Sequence, residues 1–328
     1  MPNDLGLPYL STGNSECPCG QSRPVAKQSK QKGALVKSNE TALWEHLSGM
    51  LEDKLSSFPG LAGLCLRDLT SGEEIRIHAD LVSPSASTIK MHILAHLLEL
   101  SEAGDLDWFE RIKLDRTVSV PGSGVLAYFD DPVELTVRDV ATLMIIVSDN
   151  TATNLCIDWA TIDGVNEMLG RLGLTNTILQ RKMQDHDSVR EGNENLSTPA
   201  DVVRFLDLLY SGQGLSPSVC AETLRILKKP KRGYMSPALP EGTVIASKPG
   251  GMDKVRNDAG IVYQERRPYA LCIMTTYGLG DRRLGETLIG DTVNFIHGYM
   301  TMLDRSGPWG QGVPMAFLSD SAASHTAV

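Results

Sequence analysis

Ser87 and Lys90 stand three residues apart at the head of a long apolar run, Ser85-Ala-Ser-Thr-Ile-Lys-Met-His-Ile-Leu94. On a helix that step puts both side chains on one face, about a turn apart. The serine then lies where unpaired N–H groups and the positive end of the helix dipole stabilise a developing anion. The lysine is near enough to take or hold the serine's proton. A hydroxyl so placed is a nucleophile, and it implies acyl-transfer chemistry. Alone the pair is weak, because Ser-x-x-Lys arises often by chance on surface helices.

The elements that must position the pair follow a readable order. Leu43, His46, Leu47, Met50, Leu51 and Leu55 recur at helical spacing and predict a helix over Asn39–Phe58. Leu61–Asp68 and Glu74–His78 read as strands joined by Thr70-Ser71-Gly72, a hairpin signal. The Ser87 helix follows to about Glu102. From Asp105 to about Gly242 the pattern is almost entirely helical: Thr136–Val147, Thr151–Trp159, Gly164–Leu172, Thr198–Tyr210 (capped by Ser197 ahead of Pro199) and Ser216–Leu227. Strands return at Thr243–Ser247, Ala259–Gln264 and Tyr269–Thr276, and a helix over Leu284–Leu303 closes the chain.

That order predicts an α/β (α+β) fold. The first and last segments pair into one antiparallel sheet flanked by terminal helices, with an inserted all-helical lobe and a cleft between the lobes. The sheet lobe takes 37–86 and 243–305, the helical lobe 87–242. The leader, 1–36, and the tail, 306–328, have loop composition and are expected to be disordered.

The 328 residues are 41% hydrophobic and 22% charged, ordinary for a soluble globular chain. A net charge of −9 without a basic stripe argues against a nucleic-acid partner. The basic clusters Lys27–Lys37 and Lys228–Arg232 read as solvated charge. Met1–Gly33 has no apolar core of the secretory type, and no stretch is long and apolar enough to span a membrane. Cys65, Cys156 and Cys272 sit in apolar surroundings and read as buried thiols, so a cytoplasmic location is expected. Cys17 and Cys19 lack a matching second pair. His92 and His96, one turn apart, read as packing rather than a metal pair, and His186 between two aspartates reads as solvated. Gly122-Ser-Gly124 has neither the strand before nor the helix after that a phosphate loop needs, and reads as cleft rim. No cofactor or metal is expected, and the oligomeric state stays open.

Two further segments can converge on the cleft. Ser148-Asp149-Asn150 lies between two helices of the insert, where Asp149 or Asn150 also reads as a helix cap. Ser247-Lys248-Pro249-Gly250-Gly251 follows a predicted strand and also reads as a turn. Taken in order with Ser87 and Lys90, and with Leu135-Thr-Val-Arg-Asp139 and Asn257-Asp258-Ala259 beside them, these segments resemble the class A β-lactamases and penicillin-recognising serine hydrolases from about Asn39 to Leu303.

The resemblance implies roles. Ser87 attacks a carbonyl to give an acyl-enzyme. Lys90 acts as base once burial and the charge of Lys248 lower its pKa. Ser148 relays a proton between Lys90 or Lys248 and the leaving group. Asn150 hydrogen-bonds the substrate amide and fixes Lys90. The N–H groups of Ser87 and Gly251 form the oxyanion hole, one donor of which is typically worth about 3 kcal/mol. Arg256 either holds a substrate carboxylate or is a solvated arginine on a strand edge.

Two departures bear on the substrate. Pro249 stands where the family has a hydroxyl residue that helps bind a carboxylate, and it has neither a hydroxyl nor an N–H. Met183 falls where the family's water-activating glutamate should be, with Arg181 and Asn195 aligned to the ends of that loop; Asp185, Asp187 and Glu191 are at the wrong spacing. The favoured reading is therefore a serine acyl hydrolase or transacylase acting on an amide, ester or peptide bond in a small molecule. A β-lactamase or D,D-peptidase, and a non-catalytic receptor for an acyl ligand, are the alternatives.

Overall fold

The computed structural model describes residues 39–307 and 309–313. The expected leader, the Lys27–Lys37 cluster, Cys17 and Cys19, and all of the expected tail beyond Val313 lie outside the described residues. Within the described part of that tail, Val313 N donates to Arg305 O at 3.0 Å, so the chain folds back after its last helix.

Helix α1 (Asn39–Ser56) buries Trp44, Leu47, Leu51 and Leu55, a single stripe at three- and four-residue steps. Strands β1 (Leu61–Asp68) and β2 (Glu74–Ile77) form the first hairpin, and the short β3 (Ser83–Pro84) leads into a 3₁₀ turn over Ala86–Ile89. Helix α2 (Lys90–Ala103) is buried over its first half, from Lys90 to Ala95 and again at Leu97 and Leu98, and stops at Gly104, whose φ of 84° is a left-handed cap. The insert then contains strands β4 (Arg111–Leu114) and β5 (Val133–Thr136), a paired hairpin in a region expected to be nearly all helix. Helix α3 (Val137–Ile146) opens with a reciprocal Thr136/Asp139 capping box, and α4 (Asn150–Ala160) with Asp149 as its cap. Helix α5 (Ile162–Arg171), α6 (His186–Arg190), the two-residue β6 (Leu196–Ser197), α7 (Pro199–Ser211) and α8 (Pro217–Leu227) complete the insert.

The cap of α7 is Thr198, not Ser197: the Thr198 hydroxyl accepts from Asp201 N at 3.1 Å. Ser197 is instead part of β6, and its hydroxyl pairs with that of Thr177 at 2.8 Å.

Strands β7 (Ile245–Met252), β8 (Val255–Val262) and β9 (Tyr269–Thr276) return to the first hairpin, and α9 (Arg283–Asp304) ends the fold. Four long strands and the short β2 make one antiparallel sheet in the order β2-β1-β9-β8-β7. Every residue of β9, at its centre, is buried. The side chains of β9 alternate between faces. Leu271 and Ile273 join a core with Leu47, Leu51, Ile289 and Ile296 of α1 and α9, while Ala270, Cys272 and Met274 face the core of the helical insert. Fully burying a side chain of leucine size contributes about 1.5–3 kcal/mol, so this two-sided packing is what sets the sheet against both layers.

Strand β7 runs on through Lys248-Pro-Gly-Gly251 rather than stopping at Ser247, and β8 begins at Val255 rather than Ala259. The ladder explains how proline is accommodated. Tyr263 N donates to Val244 O at 3.0 Å, so the register makes that pair the closely bonded type. Alternation then bonds Lys248 and Gly250 to β8 and turns the backbone polar groups of Ser247, Pro249 and Gly251 off the sheet's free edge. At Pro249 there is no ladder N–H to lose.

Candidate active site

The 3₁₀ turn bearing Ser87 is fastened on two sides. Ser85 N and Oγ both donate to Asn195 O, at 2.8 and 3.0 Å. Asn257 Nδ2, reaching from β8, donates to Pro84 O at 2.9 Å and Ser85 O at 3.1 Å. Ala86, the residue before the nucleophile, is held at a φ of 47°. Such a conformation in a non-glycine residue persists only where surrounding bonds over-determine it.

Ser148 is the centre of the site. It links α3 to α4 with a φ of 55°, and its hydroxyl donates to Ser87 Oγ at 2.8 Å. Lys90 Nζ donates to Ser148 Oγ at 3.0 Å and to Ser148 O at 2.9 Å. Lys248 Nζ donates to the same hydroxyl at 3.2 Å and to Pro249 O at 2.9 Å. Lys90 therefore reaches Ser87 through Ser148 instead of directly, because the Ser148 carbonyl draws the amine to its own side.

Both lysines are shut off from solvent, with exposures of 0% for Lys90 and 1% for Lys248. Burial pushes Lys90 down to about 7, against a partial upward pull from the Asp149 carboxylate. Burial, and then the neighbouring Lys90 charge, holds Lys248 well below its ordinary value. The site thus holds an amine able to accept a proton near neutral pH.

Strand β7 closes the other side. A methyl group on Gly250 would lie 2.9 Å from Ser87 N and 3.1 Å from Ser85 O, so only glycine lets the strand approach the nucleophile's turn. The N–H of Gly251 points off the free edge of β7, against which that turn packs. Ser87, Ser148, Lys248 and Gly251 line one cleft of about 1170 Å³.

Asn150 is placed beside the cleft but does not fix Lys90. Its Nδ2 donates to Pro121 O at 3.0 Å, and its backbone N to Ser123 O at 2.9 Å, which ties down the 121–124 rim. Ser123 lines the cleft. Arg256 is neither free nor solvated: Nε meets Glu286 at 3.1 Å, and Nη1 donates to Met252 O and Val255 O at 2.6 and 2.7 Å. Arg256 still lines the cleft. In the Lys228–Arg232 cluster, Lys228 and Arg232 are exposed, as expected of solvated charge, while Lys231 is half-buried and its Nζ donates to Lys229 O at 2.7 Å; Lys231 and Arg232 line the same cleft.

The loop after α5 carries Met183 on a fixed backbone. Asn154 Oδ1 accepts from Met183 N at 2.7 Å, and Asn154 Nδ2 donates to Met183 O at 3.1 Å. The thioether packs on the apolar core of the insert. Arg181 and Glu194 close the loop's neck through two hydrogen bonds of 3.1 and 2.9 Å, and Asn195 Oδ1 accepts from Gln180 N and Arg181 N at 2.8 and 3.1 Å. The nearby acids are engaged elsewhere or exposed. Asp185 caps α6 through Ser188, Asp187 pairs with Arg190, and Glu191 is exposed. His92 stacks on Phe205 with ring centroids 4.2 Å apart, and His96 meets Glu99 at 3.3 Å.

One residue does more than the sequence indicated, and another was not singled out from it. Asp149 is more than a cap: besides Ala152 N at 2.9 Å, it accepts from Val125 N and Leu126 N at 2.6 and 2.8 Å, joining the cleft rim to α4. Tyr234 stands in the cleft wall. The triplet pattern marked the first without its span; nothing local marked the second.

A sequence profile described as "Beta-lactamase enzyme family" matches residues 45–300. Among solved structures, a β-lactamase from Sphaerobacter thermophilus superimposes with a TM-score of 0.73 and 30% identity, covering 79% of this chain and 98% of that one. A variant of PBP-A captured as an acyl-enzyme complex with penicillin G gives a TM-score of 0.71 and 29% identity, covering 78% and 97% of the two chains. The β-lactamase regulatory protein BlaB of Streptomyces cacaoi is 30% identical over 128 residues, 38% of this chain and 41% of that protein, so the match spans less than half of that relative.

Proposed function

The chain belongs to the beta-lactamase enzyme family, and on that premise we propose that Ser87 is the nucleophile of a serine hydrolase that forms an acyl-enzyme with a small-molecule amide, ester or peptide. The observation that carries the reading is the Ser148 hydroxyl, which touches Ser87 Oγ and both buried amines at once.

The two hydroxyls first rotate so that Ser148 accepts from Ser87 and donates to neutral Lys90; as Ser87 Oγ bonds to the substrate carbonyl carbon, its proton then passes to Ser148 Oγ, and the proton of Ser148 passes to Lys90. The carbonyl oxygen gains the negative charge, which the N–H groups of Ser87 and Gly251 stabilise. When the tetrahedral centre collapses, the bond to the leaving nitrogen or oxygen breaks. A proton returns through Ser148 from Lys90 or Lys248 to the departing group. Arg256 orients the substrate from one wall of the cleft, and Asn150 supports the opposite rim through Pro121 and Ser123.

The acyl-enzyme is long-lived in this reading. Met183 carries no group able to take a proton from water, so the acyl group waits for slow hydrolysis or for transfer to an amine. A relative of 29% identity captured as a penicillin acyl-enzyme favours a second, narrower reading, in which a β-lactam acylates Ser87 and is released slowly.

The test is intact-mass spectrometry after exposure to p-nitrophenyl esters, D- and L-amino-acid amides and a β-lactam. Wild type should gain one acyl group from at least one probe, and Ser87→Ala none. Labelling that survives in Ser87→Ala removes the site.

A further inference from the structure

A second concavity, of about 420 Å³, lies on the helical insert where the end of α2, the turn 105–110, the first turn of α3 and α8 meet. It shares no lining residue with the nucleophile's cleft. Leu98 and Val219 supply a buried apolar floor. Two consecutive aromatics in its wall then part company: Trp108 is 6% exposed, whereas Phe109 leaves 65% of its surface in solvent.

Phe109 stands out on a braced backbone. Trp108 O accepts from Arg138 N at 3.1 Å and Glu110 O from Val137 N at 3.0 Å, so the turn is tied to α3 on both sides of the ring. Phe109 N donates to Asp107 Oδ1 at 2.9 Å, and Glu110 N to Asp107 O at 3.1 Å. A ring fixed in this way loses little freedom when a ligand stacks on it.

The charges of the groove are unequally committed. Glu222 takes one hydrogen bond from Arg225 on each carboxylate oxygen, and Glu102 Oε1 accepts from Ser216 at 2.9 Å and from Ser218. The Arg138 guanidinium lies over the Phe109 ring, 5.5 Å from its centroid, and has neither a hydrogen bond nor an ion pair with any described residue. The uncommitted charge of the groove is therefore a planar cation on an exposed ring, beside a buried apolar floor.

We propose that this groove is a ligand site separate from the nucleophile's cleft, and that it takes a planar aromatic carboxylate. The ligand ring stacks on Phe109 and covers Leu98 and Val219, while its carboxylate pairs with Arg138. Arginine offers parallel N–H donors that match both oxygens of a carboxylate. The volume falls within the range of about 300–1,000 Å³ usual for small-ligand sites. An amine of the same shape would meet Arg138 with like charge, and a saturated acid would lose the aromatic stacking. Nothing in the proposal depends on the chemistry of Ser87.

Isothermal titration calorimetry of the full chain with 2-naphthoate, 2-naphthylmethylamine and cyclohexanecarboxylate tests it. Wild type should bind one 2-naphthoate, and each of the other two at least about tenfold more weakly. Arg138→Gln should weaken 2-naphthoate about tenfold, the loss expected for a hydrogen bond to a charged group. Phe109→Ala should weaken it about fivefold, the share of a stacked ring. Both side chains are exposed, so Tm should stay within a degree or so of wild type. Arg232→Gln, in the nucleophile's cleft, should leave the affinity unchanged. A loss there with none in Arg138→Gln places the anion in the cleft and overturns the proposal. It is equally overturned by a wild type that binds no 2-naphthoate, by an amine or a saturated acid that binds as tightly, or by affinities within about twofold of wild type in both Arg138→Gln and Phe109→Ala.

Discussion

Lys90 and Lys248 converge on one acceptor, the Ser148 hydroxyl, at 3.0 and 3.2 Å. Two amines this close, both cut off from water, are not both charged without a large electrostatic cost. The consequence is a pH profile. Lys90, pushed down to about 7, must be neutral to receive a proton. Acylation should therefore fall about tenfold per pH unit below 7 and level off above it, as one essential base dictates. An ordinary lysine would move that limb to about 10. Acylation rates measured by intact mass from pH 5 to 9 separate the two, and a rate still climbing steeply at pH 9 counts against a buried neutral amine.

The same burial makes a stability statement over a different pH window. Between about 7 and the ordinary value of 10.5, the unfolded chain binds a proton at Lys90 that the folded chain lacks. Stability at this residue accordingly rises with pH across that window, and below it the full penalty applies. Lys90→Met removes the penalty and keeps the volume. Its Tm at pH 7 should rise by several degrees while acylation is lost, and a lower Tm would show that the Ser148 bonds outweigh the desolvation.

Met183 is the natural place to restore turnover, because Asn154 holds its backbone from both sides at 2.7 and 3.1 Å. Met183→Glu puts a carboxylate on an already fixed loop. General-base assistance to water is typically worth about 10²–10⁴-fold, so the acyl-enzyme lifetime should shorten by that order. Following the acyl mass with time in both forms decides it. An unchanged lifetime would mean that the side chain at this position points away from the ester.

How much of this was legible beforehand depends on whether the signal was local. The stripe Leu47, Leu51 and Leu55 declares a helix because burial recurs at the helical step, and the continuous apolar run of β9 declares a central strand covered on both faces. Thr198 could have been preferred to Ser197 as the cap, since Pro199 at the first helical position puts the cap one residue before it. The continuation of β7 through Pro249 was not legible. Proline and glycine read as breakers until the strand is known to be an edge and the register shows which N–H groups face outward. The β4–β5 hairpin was hidden by the long segment between its strands, and the place of Tyr234 depends on a buried carboxylate two dozen residues away. Long-range partners of this sort leave no periodic trace in the chain.

The ladder at Pro249 gives a test of that register. Because the N–H of residue 249 would point off the free edge, Pro249→Thr breaks no sheet bond and loses only the rigidity of proline, about 0.4–1 kcal/mol. It also adds a hydroxyl beside Lys248, so acylation by a penicillin should quicken. Gly250→Ala, one residue on, should behave in the opposite way. Its methyl would meet backbone atoms at 2.9 and 3.1 Å that have no room to yield, so both Tm and acylation should fall. Similar losses in the two variants would mean that the strand is out of register.

Asp149 offers the sharpest separation of position from charge. Its carboxylate accepts from Val125 N, Leu126 N and Ala152 N at 2.6, 2.8 and 2.9 Å, and it packs so tightly on Gly124 that no side chain fits there. The same negative charge pulls Lys90 upward against burial. Asp149→Asn is nearly isosteric, but its amide nitrogen brings a donor against N–H groups. Breaking one charge-assisted bond of this kind costs about 1.5–3 kcal/mol, so Tm should drop. Without the carboxylate, Lys90 loses the interaction that favours its charged form, and the acidic limb of the acylation profile should shift to lower pH. A merely structural aspartate would lower Tm and leave the midpoint of that limb in place. Measuring both in one variant therefore shows whether the rim clasp also sets the basicity of the amine that serves Ser87.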